Sequence, residues 1–285
     1  YLAVVPSDYY TPLREGQTRV ANQNLKGTIF NNGQNQFRDV DYIIVTPSWL
    51  TGVAERLANL HRTQSNLNVK VVDLESIYQE FSSGKQDIGA IRNFVKYIYS
   101  NASTVNKRIK YLNLFGDASF DYKNRIPRNT NVVPTFHGYG GGLHNYSNTN
   151  TFVSDEFFGL MDANEGRMLS AEGLDVAVGR MLVSSIQQAN QMVDKVYEYK
   201  NAESYGRWRN EYILVADDAG DGSIDIDFVD ELENIAADLT ANRPFVNIRQ
   251  VYADSYVQQA SAGGQRYPQA KEQLIRSINY GSLVA

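Results

Sequence analysis

The chain has 285 residues, of which 42% are hydrophobic and 21% are charged, and its formal net charge is −5. This length allows one large domain or two small ones, and the composition is that of an ordinary globular protein. The acidic balance argues against nucleic acid as a partner, and no apolar run approaches the roughly 18 residues that span a membrane as a helix. The chain has no cysteine, which excludes disulfides and thiolate chemistry within these residues.

Residues 1–40 begin without methionine and show no signal peptide, which suggests a processed or excised chain. They are polar and rich in Gln, Asn and Gly, so we expect loops and edge-strand material that lead into the first domain. The many asparagines and the 19 tyrosines favour an exported protein.

Strands and helices are then predicted to alternate up to residue 115. A buried strand ends at Pro47, and Ser48 is the expected N-cap of the helix that follows. This order predicts a mainly parallel sheet with helices on both faces. The strands are predicted at 40–46, 69–72 and 110–115. The second helix is predicted at 87–100. The residues of the first helix that are predicted to face inward are Leu50, Val53, Ala54, Leu57 and Leu60.

The second half of the chain is predicted to repeat this pattern after a long polar loop at 121–152. A strand at 175–179 and a helix to Lys200 precede a linker at 201–210. The next elements are strands at 212–216 and 246–252, helices at 227–241 and 268–279, and a strand that opens at 282–285. We therefore predict a lead-in segment at 1–40, a first α/β domain at 41–205 and an incomplete second α/β domain at 206–285.

Acidic residues follow two of the predicted strands, at the end where open α/β sheets carry function. Asp117 follows the strand at 110–115, where turn formation explains it as well as a functional role does. A denser group, which follows the strand at 212–216, consists of Asp217, Asp218, Asp221, Asp225 and Asp227. Carboxylates this close repel one another, so either a calcium site with Asp217, Asp221 and Asp225 as ligands or a solvated acidic loop fits them.

The three histidines do not form a recognisable metal site. His61 lies four residues after Leu57 on an amphipathic helix and is expected to be a partly buried structural residue. His137 and His144 lie in a glycine-rich loop without Cys or His at zinc spacing. Ser-His-Asp catalysis stays open, but the Gly-x-Ser-x-Gly elbow, the Walker loop and the Gly-x-Gly-x-x-Gly fingerprint are all missing.

Several segments are familiar in combination, although Gly-Asp or Val-Gly-Arg alone would be weak signals. In the first half they are DYIIVTP (41–47), IYQEFSSG (77–84), AIRNF (90–94), YLNLFGDASFDYKN (111–124), SDEFFG (154–159) and VGR (178–180). In the second half they are WRN (208–210), VADD (215–218) and RYP (266–268). In this order and spacing, over nearly the whole chain, the sequence resembles the gingipain-like cysteine peptidases of family C25.

This resemblance implies a caspase-like fold of two tandem, mainly parallel α/β subdomains, the second of which is truncated here. It implies a catalytic histidine and cysteine in the second subdomain, with Asp218 orienting the histidine and Asp227 lining a pocket for basic side chains. Bound calcium is also usual in the family. The family's histidine lies in a Gly-His-Gly turn after the strand that corresponds to 282–285. Neither that turn nor a cysteine is present, so we expect the 285-residue chain to be inactive by itself.

The resemblance also implies a role as the sortase of type IX secretion. Such an enzyme cleaves C-terminal sorting signals from secreted cargo and helps to attach the cargo to the cell surface. The implied partners are the cargo signal and an outer-membrane β-barrel shuttle protein, and the implied location is the cell surface at the outer membrane. The alternative is a non-catalytic docking module that binds the cargo or the barrel.

Overall fold

The computed structural model describes residues 23–139, 151–168, 173–217, 228–261 and 264–285. These residues form two compact units, one up to Tyr197 and one from Glu198. The domain boundaries predicted from the sequence stay predictions. The first unit contains α1 (Leu25–Thr28), β1 (Tyr42–Thr46), α2 (Thr51–Gln64), β2 (Val69–Asp73), α3 (Leu74–Phe81), α4 (Ile88–Ser100), β3 (Tyr111–Phe115), β4 (Phe136–Tyr139), β5 (Thr151–Ser154), β6 (Ala177–Met181) and most of α5 (Ile186–Lys200).

A four-stranded sheet with the order β2-β1-β3-β6 forms the centre of the first unit, and all of its strands are parallel. All five residues of β1 are buried, as expected for a strand with helices over both faces. Successive residues of a strand point to opposite faces. Ile43 therefore packs in a core with α3 and α4, whereas Ile44 packs in a second core with α2 and α5. The predicted parallel α/β fold is confirmed.

The inward face predicted for the first helix is buried, but the helix begins later than predicted. Ser48 is not its N-cap, because Ser48–Leu50 forms a 3-10 turn and α2 begins at Thr51. Pro47 has an extended backbone, and its carbonyl accepts a hydrogen bond from the Leu50 N–H at 3.0 Å. This i to i+3 bond closes a tighter turn before the helix.

Helix α3 is not among the elements predicted from the sequence. Its N-cap is Asp73, whose carboxylate accepts hydrogen bonds from the backbone N–H and the hydroxyl of Ser76 at 3.0 and 3.2 Å. Leu74, Ile77 and Tyr78 are buried along one face. An acidic N-cap followed by apolar residues at helical spacing is the signal that predicts such a helix.

Part of the predicted polar loop at 121–152 forms a hairpin instead. Strands β4 and β5 pair in antiparallel fashion, with Phe136 opposite Ser154. Phe136 also stacks on Phe157 at 4.8 Å between ring centroids. This contact with a residue distant in sequence stabilises strands that the local polar composition does not indicate.

The second unit contains β7 (Glu211–Ala216), α6 (Phe228–Asn242), β8 (Asn247–Tyr252), β9 (Gln259–Ser261), β10 (Gly264–Arg266) and α7 (Pro268–Tyr280). Strands β7 and β8 are parallel, and Ala216 stands opposite Tyr252. Both residues pack against Ala236 of α6 in a small core. The short hairpin of β9 and β10 is not indicated by the sequence pattern.

Candidate functional site

The carboxyl ends of β7 and β8 form the edge of the second unit where the acidic residues are predicted to act. Ala216 and Tyr252 are the last residues of these strands. Asp217 follows Ala216 directly and is exposed. The structure thus places Asp217 at the end of the first strand of this unit, which is where open α/β sheets carry their functional loops.

The other four predicted site residues lie outside the described residues. They are the catalytic candidate Asp218, the specificity candidate Asp227, and the calcium-ligand candidates Asp221 and Asp225. Their roles stay predictions. Among the residues that the structure does describe, no group of three or more His, Cys, Asp or Glu side chains has the arrangement of a metal site.

Tyr252 is a residue at this edge that the sequence analysis does not single out. Its side chain is buried, and burial raises the pKa of its hydroxyl. The hydroxyl is therefore protonated at neutral pH. On the same strand, Gln250 donates a hydrogen bond of 2.8 Å to Glu233 of α6 and so joins the helix to the sheet. The sequence does contain a signal for Tyr252, because it is an aromatic residue at the last position of a predicted strand.

A third parallel strand begins beside β7, on the side that β8 does not occupy. The backbone N–H of Leu283 donates to the Glu211 carbonyl at 2.8 Å, and the N–H of Ile213 donates to the Val284 carbonyl at 2.9 Å. Tyr212 and Val284 are opposite each other in a parallel bridge. The strand predicted to open at 282–285 is present as this bridge, and it runs toward the same edge as Asp217.

Glu211 is a buried carboxylate at the opposite, amino end of β7, with 1% of its side chain exposed. It accepts hydrogen bonds from Arg207 at 2.9 Å and from Arg249 at 3.0 Å. Both guanidinium groups lie over the Tyr280 ring, at 4.5 and 3.9 Å from its centroid. The hydrogen bond from Arg207 is the main cause that lowers the pKa of Glu211, while burial raises it and the Arg249 charge lowers it further. Glu211 therefore has a structural role.

Replacing Glu211 by glutamine is expected to lower the free energy of unfolding near pH 7 by about 1–3 kcal/mol, because two charge-assisted hydrogen bonds lose their charged acceptor. A carboxylate with a lowered folded-state pKa stabilises the fold above its ordinary pKa of 4.5 and loses that contribution as the pH falls through the folded-state value. The difference between the two proteins should thus shrink toward about pH 3. Urea unfolding at a series of pH values measures it.

The matched control is Glu272→Gln in the same unit. The ion pair of Glu272 with Arg276 has side chains that are 72% and 69% exposed, and such pairs contribute little to stability. We expect a change below about 0.5 kcal/mol for this variant. A loss of stability in Glu211→Gln that stays constant over the whole pH range would contradict the role of the Glu211 charge.

Arg180 on β6 joins the carboxyl edge of the first sheet into one network. It donates hydrogen bonds of 2.7 Å to both carboxylate oxygens of Asp155, and two more of 2.7 Å to the carbonyls of Gly116 and Val133. The Pro134 carbonyl accepts another at 3.2 Å. The Arg180 side chain is 8% exposed and that of Asp155 is 25% exposed, so this is a bidentate ion pair with a buried guanidinium and a partly buried carboxylate. Three of the segments that resemble the family meet here.

Asp117, the other acidic residue at a strand end, forms hydrogen bonds with backbone groups around it. Its carboxylate accepts a hydrogen bond from the Ala118 N–H at 2.9 Å. Its backbone carbonyl accepts from the N–H groups of Val132 and Val133 at 3.0 and 2.9 Å. These contacts favour a structural interpretation of Asp117 over a catalytic one.

The histidines are separate from one another in the described part of the chain. His61 of α2 is half-buried and contacts the Tyr42 ring edge-on, with 5.3 Å between centroids. The predicted structural role of His61 agrees with this contact. His137 of β4 is exposed and lies 6.1 Å from the Tyr122 ring. His144 lies outside the described residues.

Comparison with solved structures shows relatives of this fold. The Arg-specific cysteine proteinase gingipain R matches 86% of this chain and 45% of its own, with 18% identity and a TM-score of 0.55. The complex of the RgpB pro- and mature domains from Porphyromonas gingivalis matches 85% of this chain and 46% of its own, with 19% identity and a TM-score of 0.53. The dimeric latent PorU from Porphyromonas gingivalis matches 61% of this chain and 17% of its own, with 30% identity and a TM-score of 0.49.

The chain spans less than half the length of each of these structures. The likeness to the two gingipain structures shows a shared caspase/gingipain-like α/β fold. No curated protein sequence matches the chain. In the described ranges, no helix is both long and apolar enough to cross a membrane. The sequence model of Peptidase family C25 matches residues 35–285, and because this match runs through both units, the chain belongs to peptidase family C25.

Proposed function

We propose that this chain supplies the first α/β subdomain and the beginning of the catalytic subdomain of a cysteine peptidase that serves type IX secretion. Family membership supports the peptidase chemistry. The sortase role rests on the resemblance of the sequence segments. The substrate would be the C-terminal sorting signal of secreted cargo, the partner an outer-membrane β-barrel shuttle protein, and the location the cell surface.

The observation that carries this proposal is the parallel bridge between Tyr212 and Val284. Parallel strands rise by the same distance per residue. Ala216 lies four positions after Tyr212, so four further residues after Val284 would bring that strand level with the end of β7. In the family that the sequence resembles, this strand leads into the Gly-His-Gly turn. A histidine in that turn would emerge beside Asp217 and Asp218.

That arrangement gives the acidic residues distinct roles. Asp218 would accept a hydrogen bond from the imidazole and hold its tautomer and orientation, so that the ring can take the proton of a thiol nucleophile. Asp227, which directly precedes α6, would pair with a basic side chain of the substrate, since carboxylates bind Arg and Lys through charge-assisted hydrogen bonds.

Two forms of the protein test this function: the 285-residue chain, and a longer product of the same gene that continues through the Gly-His-Gly turn and a later cysteine. Each is incubated with a cargo protein that carries its C-terminal sorting signal. We expect no thiol-dependent cleavage by the 285-residue chain, because it contains no cysteine. We expect cleavage by the longer product that iodoacetamide abolishes.

The control is the longer product with its nucleophilic cysteine replaced by alanine, which should bind cargo without cleaving it. Iodoacetamide-sensitive cleavage by the 285-residue chain would contradict the assignment of catalysis to a histidine and a cysteine that these 285 residues do not include. A longer product that binds cargo but cleaves none, with a coding sequence that lacks both catalytic residues, would favour the docking module instead.

We further propose that the acidic segment 217–227 binds calcium. Its support is the sequence: five carboxylates in so short a segment repel one another at neutral pH, and calcium takes oxygen ligands of this kind. Asp217, at the end of β7, is the described member of the proposed ligands Asp217, Asp221 and Asp225. A ligand that binds only the native state stabilises it by about 2.7 kcal/mol at 100 times its dissociation constant.

Thermal melting with millimolar calcium and with a chelator measures this effect. We expect a higher midpoint in calcium, and we expect the double variant Asp221→Asn with Asp225→Asn to melt alike in both. The variant Asp194→Asn on α5 is the control, since it removes one carboxylate charge from an exposed ion pair with Arg56 and should keep the calcium-dependent shift of the wild type. Equal midpoints for the wild type in calcium and in chelator would leave the segment a solvated acidic loop.

A further inference from the structure

A cavity of about 450 Å³ lies beside the amino end of β2, the outer strand of the first sheet. Three cationic side chains line it: Lys70 of β2, Arg62 from the last turn of α2, and Arg38 from the segment before β1. Its other lining residues in the described ranges are uncharged. The cavity lies at the opposite end of this sheet from the Arg180 network, and the proposed peptidase function does not use it.

A short antiparallel turn carries Arg38 to the cavity. Asn31 and Phe37 form the bridge of this turn, and the Arg38 N–H donates to the Phe30 carbonyl at 2.7 Å. The rings of Phe30 and Phe37 stack with 4.9 Å between centroids. The ammonium group of Lys70 donates a hydrogen bond to the Asn31 carbonyl. These contacts attach the turn to β2 and place Arg38 on the same cavity as Lys70.

Hydrogen-bond donors on all three cations are left over for a ligand. Arg38 is exposed, and its guanidinium group has no hydrogen bond or ion pair to another described residue. An ammonium group has three donors, and Lys70 uses one of them for Asn31. The Nη2 atom of Arg62 donates to the Val69 carbonyl at 2.8 Å, which leaves its second N–H. Donors that converge on cationic groups are the arrangement that binds oxyanions.

One carboxylate offsets part of this positive charge. Glu55 of α2 accepts a hydrogen bond of 2.6 Å from Arg62. Asp39 and Asp41 do not line the cavity, and their carboxylates accept hydrogen bonds from backbone N–H groups at 2.7 and 2.8 Å. Three cations with one paired carboxylate leave two positive charges at the cavity, which a dianion would balance and a monoanion would not.

The cations repel one another across the cavity. Burial lowers the pKa of the Lys70 ammonium group, and the charges of Arg62 and Arg38 lower it further. Like charges held this close are unfavourable unless an opposite charge offsets them. A bound anion would remove this repulsion.

We propose that this cavity binds the dianionic phosphate group of a phosphomonoester. The uncompensated charge favours a dianion, and the free guanidinium of Arg38 can donate two parallel hydrogen bonds to phosphate oxygens. The side-chain amide of Asn66, which also lines the cavity and has no hydrogen bond to another described residue, can bind a hydroxyl group of the ligand. The volume is within the range of small-molecule sites. A soluble phosphomonoester and a lipid headgroup share this chemistry.

Calorimetric titration of the 285-residue chain at low ionic strength with glycerol 3-phosphate, sulfate and acetate tests the proposal. We expect glycerol 3-phosphate to bind in the millimolar range or tighter, and at least about fivefold more tightly than acetate. Its affinity should fall at least about threefold from about pH 7.5 to about pH 5, because the second pKa of a phosphomonoester is about 6. Sulfate stays a dianion over this range and should bind equally at both pH values, whereas titration of protein groups would change both probes.

A double variant locates the site. Arg38→Gln with Lys70→Gln should weaken glycerol 3-phosphate binding at least about tenfold. It should fold, since Arg38 is exposed and the Lys70 charge is held in an unfavourable place, and its melting curve checks this. The matched control is Lys85→Gln with Lys195→Gln, which removes the same charge from two exposed residues that do not line the cavity. The control should bind like the wild type.

Sedimentation with vesicles separates the two sources of phosphate. Vesicles of phosphatidylcholine with phosphatidic acid present a phosphomonoester, and vesicles of phosphatidylcholine alone do not. Cosedimentation with the first that the Arg38 and Lys70 double variant loses would support a lipid headgroup, and binding of glycerol 3-phosphate without cosedimentation would support a soluble ligand. No binding of glycerol 3-phosphate, an affinity equal to that of acetate, or unchanged affinity in the folded double variant would overturn the proposal.

Discussion

Replacing Asp218 by alanine, in a longer product that contains the catalytic histidine and cysteine, is expected to lower kcat by about 10²–10⁴-fold while KM changes much less. Asp218 follows Asp217, the residue at the carboxyl end of β7. A carboxylate there would stabilise the imidazolium that forms when the base takes the thiol proton. Steady-state kinetics with a sorting-signal substrate measures kcat and KM separately. The pH profile adds a second readout, since the pKa of the histidine should fall without its carboxylate partner.

Asp217→Ala is the matched control, because it removes the same charge one position earlier in the chain. We expect its kcat to fall less than about tenfold. If Asp218→Ala keeps its turnover with the fold intact, the third catalytic role belongs to Asp217 or to no residue of this loop. If kcat falls strongly in Asp217→Ala and stays unchanged in Asp218→Ala, the role of orienting the histidine belongs to Asp217.

Replacing Arg180 by methionine is expected to destabilise the first unit by about 2–4 kcal/mol, somewhat less than the usual cost of removing one partner of a fully buried ion pair, because the Asp155 side chain that is left behind is 25% exposed. The Asp155 carboxylate would lose both of its hydrogen bonds from Arg180, and the carbonyls of Gly116 and Val133 would lose a donor. The side chain of methionine fills a similar volume, so the lost hydrogen bonds dominate the change. Urea unfolding monitored by circular dichroism measures the difference.

Arg56→Met in the same unit also removes an arginine from an ion pair, but that pair is exposed. Comparing its loss of stability with that of Arg180→Met therefore measures the effect of burial. The Arg56 side chain is 44% exposed and that of its partner Asp194 is 52% exposed, so we expect a loss below about 1 kcal/mol. Arg180→Lys should lie between the two, because an ammonium group does not reproduce the two parallel hydrogen bonds of a guanidinium to a carboxylate. A similar loss in Arg180→Met and Arg56→Met would contradict the structural importance assigned to the network.

Much of the sheet could be predicted because its strands carry strong local signals. The run from Tyr42 to Thr46 is apolar and β-branched, and all five of its residues are buried. The inward residues of α4 recur at helical spacing, and Ile91 and Phe94 are fully buried. Periodicity of this kind depends on the local sequence alone, and it indicates both the element and its buried face.

The pairings between distant residues could not be predicted from local patterns. Arg180 and Asp155 belong to segments that resemble the family, yet no local spacing indicates that their side chains meet. The burial of Glu211 depends in the same way on Arg249, which lies on a different strand. At the candidate site, the sequence indicates that Asp217 follows a strand, whereas the position of Val284 beside β7 becomes clear only from the fold.

The placement of the strand that contains Val284 beside β7 has a consequence for how the second unit forms during synthesis. Strand β8 can pair with β7 soon after both have left the ribosome. The other side of β7, however, exposes unpaired N–H and C=O groups until Leu283 and Val284 arrive. Contacts between residues so distant in sequence form late and slowly, and an open strand edge is a template for pairing with other chains. We therefore expect nascent chains that end before Leu283 to pair with other chains through this edge more readily than chains that include Leu283 and Val284.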